Sequence, residues 1–411
     1  MIDAARFNSS LANLILIAFV AWSPSQGALS GRVVDTGGKA VAGVSVVVDR
    51  LGGTVTTDAL GRFSIATTAI RKADRNPGLN HGSARKAYTL LGQRIVKVRG
   101  NPVTGIGNVP IALGKAVAAS APVAADTLTL SKTGFLINRM ALSKSDGDLG
   151  DIMLFAGFTG VPEKYHGFNL YRFTVAGKNA LVVVPNKVKA GNPWLWRTYF
   201  WDHKPLFDSI LCANGYYLAF MDIPDMFGAP SAVSLMDSMY AQMTIKHGFS
   251  KKANLFGISR GGLYLYNWAG ANLGKVSTMY GDGAVMDFES WPCGCYGTGA
   301  GSAGDWSLLK SVYGFSGDAQ AKAYGGNPVR NMKPFALAKI PIIHVYGEID
   351  NVVPPKENVL RANDSLKAYG WQMKLLAKPN TGHVHGVTAD DGGLPGQLDT
   401  LVQFVLRNTT Y

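Results

Sequence analysis

The chain has 411 residues, 47% of them hydrophobic and only 16% charged, a composition that excludes a mainly disordered protein and predicts two or three folded units. The net charge of +13 is concentrated in residues 29–150, which carry 16 Lys and Arg against 7 Asp and Glu, whereas residues 151–411 carry 23 against 19. No dense basic block is interleaved with aromatic residues, so no nucleic-acid partner is expected; the basic excess fits either a solvated face or attraction to an acidic polysaccharide or envelope.

Residues 1–27 have the features of a secretory signal peptide. A single Arg6 precedes a continuous apolar run over residues 11–22, and small residues at positions 25 and 27 suit cleavage before Ala28. The run is short for a bilayer span, and a buried or anchoring N-terminal helix is the alternative. We therefore predict a secreted or periplasmic protein with no stable membrane insertion after cleavage.

Residues 28–155 are predicted to form a small all-β module with a linker. Apolar and polar residues alternate between Gly and Asp turns over residues 29–65, and the alternation returns over residues 126–154. Residues 66–125 mix basic residues, Gly and Pro before an Ala-rich stretch, which is typical of a loop or linker. Because a structureless insert of this length is unusual in a compact domain, part of it is expected to pair with the strands.

Three stretches of this region carry a family resemblance. Residues 31–35 (GRVVD), 41–48 (VAGVSVVV) and 57–63 (TDALGRF) resemble the opening, the second strand and the close of the carboxypeptidase regulatory-like β-sandwich repeat. The resemblance implies a small non-catalytic module of the kind found on many secreted proteins.

Residues 160–411 alternate between strand-like and helical patterns. Such alternation predicts βαβ crossovers and a mostly parallel sheet with helices on both faces. The predicted strands are 181–184, 217–221, 253–257, 276–280, 341–346 and 373–377, and the clearest helices are 231–246, 262–272 and 356–369. We therefore predict an α/β catalytic domain whose functional groups gather at the carboxyl ends of the strands.

The pentapeptide Gly-Ile-Ser-Arg-Gly at residues 257–261 is the strongest candidate for a catalytic motif. An apolar strand precedes it and a helical pattern follows it, which is the setting of a nucleophile elbow. Glycines flank Ser259 because the neighbouring backbone packs too closely to admit a Cβ. We predict that Ser259 is a nucleophile rather than a structural serine.

A nucleophilic serine needs a general base, and the base needs a carboxylate that orients it. Asp350 follows the strand predicted at 341–346, and only His383 and His385 lie beyond it among the seven histidines. His383 follows a glycine and is the preferred base, with His385 left as the alternative. Asp350 could otherwise be a turn residue that caps the following helix.

These motifs resemble those of the α/β-hydrolase superfamily, in its acetylxylan-esterase-like or prolyl-oligopeptidase-like branches. The G-x-S-x-G elbow, the GEIDNVVP stretch at 347–354 and Thr-Gly-His at 381–383 occur in that superfamily's order of serine, acid and histidine. The resemblance covers roughly residues 165–411. It implies a Ser259, His383 and Asp350 triad that works through an acyl-enzyme.

The oxyanion hole of such an enzyme combines a backbone N–H after the nucleophile with one from the loop after the third strand. These positions correspond to Arg260 and, within residues 197–203, to Trp201. The tryptophans at positions 194, 196, 201 and 291 either line a sugar-binding pocket or pack in the core. No cofactor and no metal are expected; the His-x-His pair of His383 and His385 has too few neighbouring ligands.

The favoured function is an exported carboxylic-ester hydrolase that acts on a small-molecule or polysaccharide ester, such as acylated carbohydrate. The alternatives are a prolyl-oligopeptidase-like peptidase and a non-catalytic binding protein built on a hydrolase scaffold. With only three cysteines, the predicted oxidised form pairs Cys212 with Cys293 or Cys295, since the latter two are close in sequence. The sequence does not determine the oligomeric state.

Overall fold

The computed structural model describes residues 28–49, 54–66, 127–142 and 147–411. The predicted signal peptide and nearly all of the predicted linker lie outside these residues. Within the described ranges, no helix has both the length and the apolar character needed to cross a bilayer.

The N-terminal strands form two small sheets around one apolar core. The strands are β1 (Ala28–Val34), β2 (Ser45–Val48), β3 (Thr54–Thr56), β4 (Arg62–Ala66), β5 (Thr127–Ser131), β6 (Asn138–Ala141) and β7 (Gly147–Met153). One sheet has the order β4-β1-β7 and the other β3-β2-β5-β6. Alternate residues of β5, Leu128 and Leu130, pack against Val46 and Val48 of β2 in the shared core. The predicted all-β region is confirmed, and its resemblance to the carboxypeptidase regulatory-like repeat stays a prediction.

The rest of the described chain is organised around a nine-stranded sheet. Its strands are β8 (Glu163–Tyr165), β9 (Phe168–Val175), β10 (Lys178–Val184), β11 (Trp194–Arg197), β12 (Tyr217–Met221), β13 (Ala253–Ile258), β14 (Val276–Asp282), β15 (Ile342–Gly347) and β16 (Lys374–Lys378). Their order is β16-β15-β14-β13-β11-β12-β10-β9-β8. In the sheet, every neighbouring pair in the run β16-β15-β14-β13-β11-β12 is parallel. Strands β10, β9 and β8 continue the sheet as an antiparallel edge. The predicted mostly parallel sheet is confirmed.

Helices cover both faces of this sheet. They are α1 (Leu206–Ala213), α2 (Pro230–Ala241), α3 (Gly261–Ala271), α4 (Ala303–Tyr313), α5 (Asp318–Ala323), α6 (Lys333–Leu337), α7 (Val359–Lys367) and α8 (Gln397–Asn408). Apolar residues of α1 and α8 pack on one face, and those of α2, α3, α6 and α7 pack on the other. Central strands such as β13 are buried along their whole length, which explains why they appear as continuous apolar runs.

The six predicted strands correspond to β10 and to β12 through β16, and the differences lie in short or amphipathic elements. Strand β11 has only four residues, too few for a periodicity, and β9 mixes buried, half-buried and exposed residues without a continuous apolar run. Trp194 and Trp196 lie in β11 and are 0% and 1% exposed, so for these two tryptophans the structure supports packing in the core rather than lining a pocket. A central strand covered on both faces places every side chain in the core.

The sulfur pairing also differs from the prediction. Cys293 and Cys295 form a disulfide with their Cα atoms 5.0 Å apart, and Cys212 is free and buried. Cys212 is a residue of α1 and packs in the core that α1 shares with α8. Cys293 packs with the aromatic cluster beside α4, so the two cysteines lie in different parts of the domain. Burial raises the pKa of the Cys212 thiol well above its ordinary value, and the nearby Asp208 adds to this.

A buried ion pair fixes the loop that follows β11. Arg197 donates through Nε and Nη2 to the two carboxylate oxygens of Asp208 on α1, both at 2.6 Å, and its Nη1 and Nη2 also donate to the carbonyls of Phe200 and His203. Both charged side chains are at most 1% exposed. Burial opposes the Arg197 charge, but Asp208 holds the pKa of that guanidinium above its ordinary value.

Asp208→Asn should therefore lower the free energy of unfolding by about 3–5 kcal/mol, because it leaves the buried guanidinium without a counter-charge. Urea denaturation followed by circular dichroism would measure the loss. Glu163→Gln removes the exposed partner of Arg172 and serves as the control, which should not change the midpoint measurably. Equal stability of Asp208→Asn and the parent protein would contradict the assigned role.

Candidate active site

The sharp turn between β13 and α3 presents Ser259 at the carboxyl edge of the sheet. Ser259 has a φ of +48°, a left-handed conformation that is rare for residues other than glycine, and its N–H donates to the carbonyl of Asp282 at 3.0 Å. A Cβ on Gly257 would lie 2.8 Å from the carbonyl oxygen of Gly261. Gly257 is therefore required by the close approach of backbone inside the turn, and Gly261 by the Tyr199 Cβ, which would lie 2.8 Å from an added Cβ.

The three residues predicted as a triad lie in one hydrogen-bonded chain. The Oγ of Ser259 is 3.0 Å from Nε2 of His383, and Nδ1 of His383 is 2.7 Å from Oδ2 of Asp350. The Oδ1 of Asp350 accepts the backbone N–H groups of Val352 and Val353, so both of its oxygens are occupied. The Asp350 side chain is 2% exposed and that of His383 is 17% exposed. The loops after β13, β15 and β16 supply one residue each.

His385 lies beside this chain but does not contact Ser259. Its ring centroid is 4.6 Å from that of His383 at an interplanar angle of 82°, and its Nδ1 faces Oδ1 of Asp282 at 3.5 Å. The structure thus gives the Ser259 hydrogen bond to His383 and brings His385 to a different carboxylate.

Several backbone N–H groups of the elbow and of the loop after β11 have no backbone acceptor among the described residues. They include those of Arg260 and Tyr199. A Cβ on Gly261 would lie 2.8 Å from Cβ of Tyr199 and 3.7 Å from its nitrogen, which shows how closely this loop approaches the elbow. The Trp201 ring packs against Tyr165 at 5.0 Å and Phe220 at 5.8 Å. The loop approaches the elbow at Tyr199, and the backbone N–H of Trp201 as a second donor stays a prediction.

The side chain of Arg260 is held in a rim of acidic and aromatic residues. Its guanidinium forms ion pairs with Asp225 at 3.1 Å and with Asp305 at 3.2 Å, and it lies over the Trp291 ring at 4.8 Å. The Tyr199 hydroxyl also donates to Asp225. Asp225 and Asp305 have no sequence signal of their own, because each lies outside any motif and reaches Arg260 only through the fold.

The loop at residues 292–302, which leads into α4, packs on the loop that carries Asp350. The N–H of Ala300 donates to the carbonyl of Asn351 at 2.8 Å, and Ser302 caps α4 through its hydroxyl. Within the described ranges, no group of three His, Cys, Asp or Glu side chains is arranged to hold a metal ion.

Comparison with known proteins gives structural matches only. No family model matches the chain, and neither does any curated protein. Similar solved structures include a puromycin-hydrolysing peptidase of Mycobacterium tuberculosis (12% identity, 70% of this chain and 46% of that chain, TM-score 0.48). An acylaminoacyl peptidase of Pyrococcus horikoshii is also similar (13% identity, 70% of this chain and 54% of that chain, TM-score 0.45). So is an esterase E25 (14% identity, 59% of this chain and 79% of that chain, TM-score 0.43). The matched part of this chain spans about half the length of the two peptidases.

Proposed function

We propose that the protein is a serine hydrolase in which Ser259 is the nucleophile, His383 the general base and Asp350 the residue that orients and stabilises the base. The observation that carries this proposal is the unbroken chain from Ser259 Oγ through both nitrogens of His383 to Asp350, at 3.0 and 2.7 Å. A carboxylate on Nδ1 keeps the Nε2 lone pair directed at the hydroxyl, which is the tautomer needed to accept its proton.

In this mechanism, Ser259 Oγ attacks the substrate carbonyl carbon while its proton passes to His383 Nε2. The resulting oxyanion is stabilised by the N–H groups of Arg260 and Tyr199, the latter replacing Trp201 as our proposed second donor. His383 then protonates the leaving group, which departs and leaves an acyl group on Ser259. Water, activated by the same imidazole, attacks the acyl-enzyme and regenerates the serine.

The proposed substrate is a carboxylic ester, most specifically of an acylated or esterified carbohydrate. The predicted signal peptide and the all-β region ahead of the catalytic domain support export and a role on extracellular material. The described N-terminal strands form a three-stranded and a four-stranded sheet around one core, unlike the repeated blades of a propeller. The peptidase alternative shares the whole triad mechanism, and an assay has to distinguish the two.

We expect an alkyl fluorophosphonate to label the protein at Ser259 in a one-to-one ratio, because only an activated serine attacks this phosphorus. Mass spectrometry of the labelled peptide would identify the site, and heat-denatured protein is the control. Labelling at a different serine, or none on folded protein, would overturn the proposal.

The substrate class follows from a panel of p-nitrophenyl acetate, acetylated xylan and aminoacyl p-nitroanilides. Turnover of the first two and not of the anilides is the expected result. Faster turnover of the anilides would instead support the peptidase, and binding of acetylated xylan without turnover of any substrate would support a non-catalytic binding protein.

A further inference from the structure

A second imidazole–carboxylate pair lies beside the proposed triad. His385 is only two residues after His383, and the two rings meet edge to face at 4.6 Å. Its Nδ1 faces Oδ1 of Asp282, the last residue of β14, at 3.5 Å. Both rings lie against Gly283: a Cβ there would be 3.1 Å from Cε1 of His385 and 3.4 Å from Cε1 of His383.

Asp282 is a buried carboxylate whose two oxygens have different surroundings. Its side chain is 1% exposed. Oδ2 accepts the hydroxyl of Tyr280 at 2.9 Å and the N–H of Gly386 at 2.8 Å, whereas Oδ1 is buried without a hydrogen bond among the described residues and faces only His385. Burial opposes ionisation, but His385, Lys378 and the Gly386 N–H together hold the pKa of Asp282 below its ordinary value. The pair therefore contains a buried negative charge that needs a cation nearby.

Nδ1 of His385, at 3.5 Å, is the side-chain nitrogen that the structure places opposite Oδ1. Titratable groups face His385 from three elements: Asp282 at the end of β14, His383 in its own loop and His203 in the loop after β11. Lys378 in β16 acts on Asp282. The ammonium of Lys378 donates to the carbonyls of Val384, Gly386 and Asp391. Lys204 pairs with Asp391 at 2.5 Å.

A third histidine near Asp282 does not supply this charge. Burial lowers the pKa of His344 to about 3, so its ring is neutral wherever the enzyme is folded and active. Its Nε2 is hydrogen-bonded to the hydroxyl of Tyr266 at 2.6 Å.

We propose that His385, held by Asp282, is a positioning residue that packs against His383 and sets the charge beside it, and thereby the pH range in which His383 can act as a base. A protonated His385 disfavours a second positive charge on His383, which keeps His383 unprotonated to lower pH. Asp282 confines that charge and holds the ring edge-on to its neighbour. The proposal rests on the function proposed for Ser259 and His383.

The test uses His385→Asn, because the asparagine amide is polar and can donate a hydrogen bond but carries no charge. The rate of labelling by a fluorophosphonate is measured against pH, so that no natural substrate is needed. The acid limb is the part of the profile in which the labelling rate falls as the pH is lowered. In the variant it should move to higher pH by roughly one unit, since Asp282 then acts on His383 without an opposing charge. The plateau at high pH should stay within about threefold of the parent protein, because packing is retained.

Two further variants separate this role from simple packing. His385→Asn combined with Asp282→Asn removes both charges and should return the acid limb most of the way to its original position. His203→Gln removes the outer imidazole, which contacts His385 and not His383, and should move the limb much less. Near-ultraviolet circular dichroism verifies that each variant folds.

An unchanged acid limb in folded His385→Asn would overturn the proposal, as would a lowered plateau with no shift in pH. A shift that the second substitution does not reverse would overturn it too. These outcomes presuppose labelling of the parent protein at Ser259; failure of that labelling would count against the proposed function itself and is therefore distinguishable.

Discussion

Ser259→Ala should lower kcat by roughly 10³–10⁶-fold and leave the fold intact, because the nucleophile and its covalent route are lost together. The Oγ removed is the only side-chain atom of Ser259 that reaches His383, at 3.0 Å. Residual turnover would come from water activated by the imidazole in a site that still binds substrate. Initial rates on p-nitrophenyl acetate, together with a thermal unfolding curve, would measure both effects.

Ser238→Ala is the matched control for this variant. Ser238 lies on the exposed side of α2, where its hydroxyl donates to the carbonyl of Ser234, and its loss should leave kcat unchanged. If Ser259→Ala keeps more than a tenth of the parent activity, the nucleophile has been misassigned.

The second large effect is expected for His383→Ala, whose loss in kcat should equal that of Ser259→Ala. Serine and base act as a unit, so their contributions do not add, and the double variant should be no slower than either single variant. Asp350→Asn should lose about 10⁴-fold, because the amide cannot hold the imidazole in the required tautomer. Steady-state kinetics of the four variants under one set of conditions would show this pattern. A dead His385→Ala beside an active His383→Ala would reverse the assignment of the two histidines.

Much of the fold was predictable because the relevant signals are local. Buried parallel strands appear as apolar runs, and the residues placed after β13, β15 and β16 are those that the motif order indicates. Asp282 could have been found by the same rule, since it ends a buried strand at the same edge of the sheet. The spacing alone could not show that His385 turns toward it, because this depends on the path of the loop after β16.

The loop after β11 shows where a sequence argument fails. The path of its backbone depends on three residues with positive φ, namely Phe200 (+50°), Asp202 (+63°) and Lys204 (+55°), none of which is a glycine. Contacts from distant parts of the chain hold these conformations: the buried Arg197, paired with Asp208, donates to the Phe200 carbonyl, Tyr165 donates to Asp202, and Lys204 pairs with Asp391. The sequence therefore could not show that Tyr199 lies against Gly261 of the elbow. The pairing of Cys212 was wrong for a similar reason, since helix α1 directs that thiol into the core.

The tryptophans of β11 give the protein an internal optical reporter. The rings of Trp194 and Trp196 lie 5.2 Å apart, and Trp196 meets Trp268 of α3 edge to face at 4.9 Å. Indoles at this spacing couple electronically, which should produce strong bands in the near-ultraviolet circular dichroism spectrum. Because β11 adjoins β13 and α3 carries the first turn after Ser259, loss of these bands during denaturation would report the separation of the strand and helix that shape the elbow.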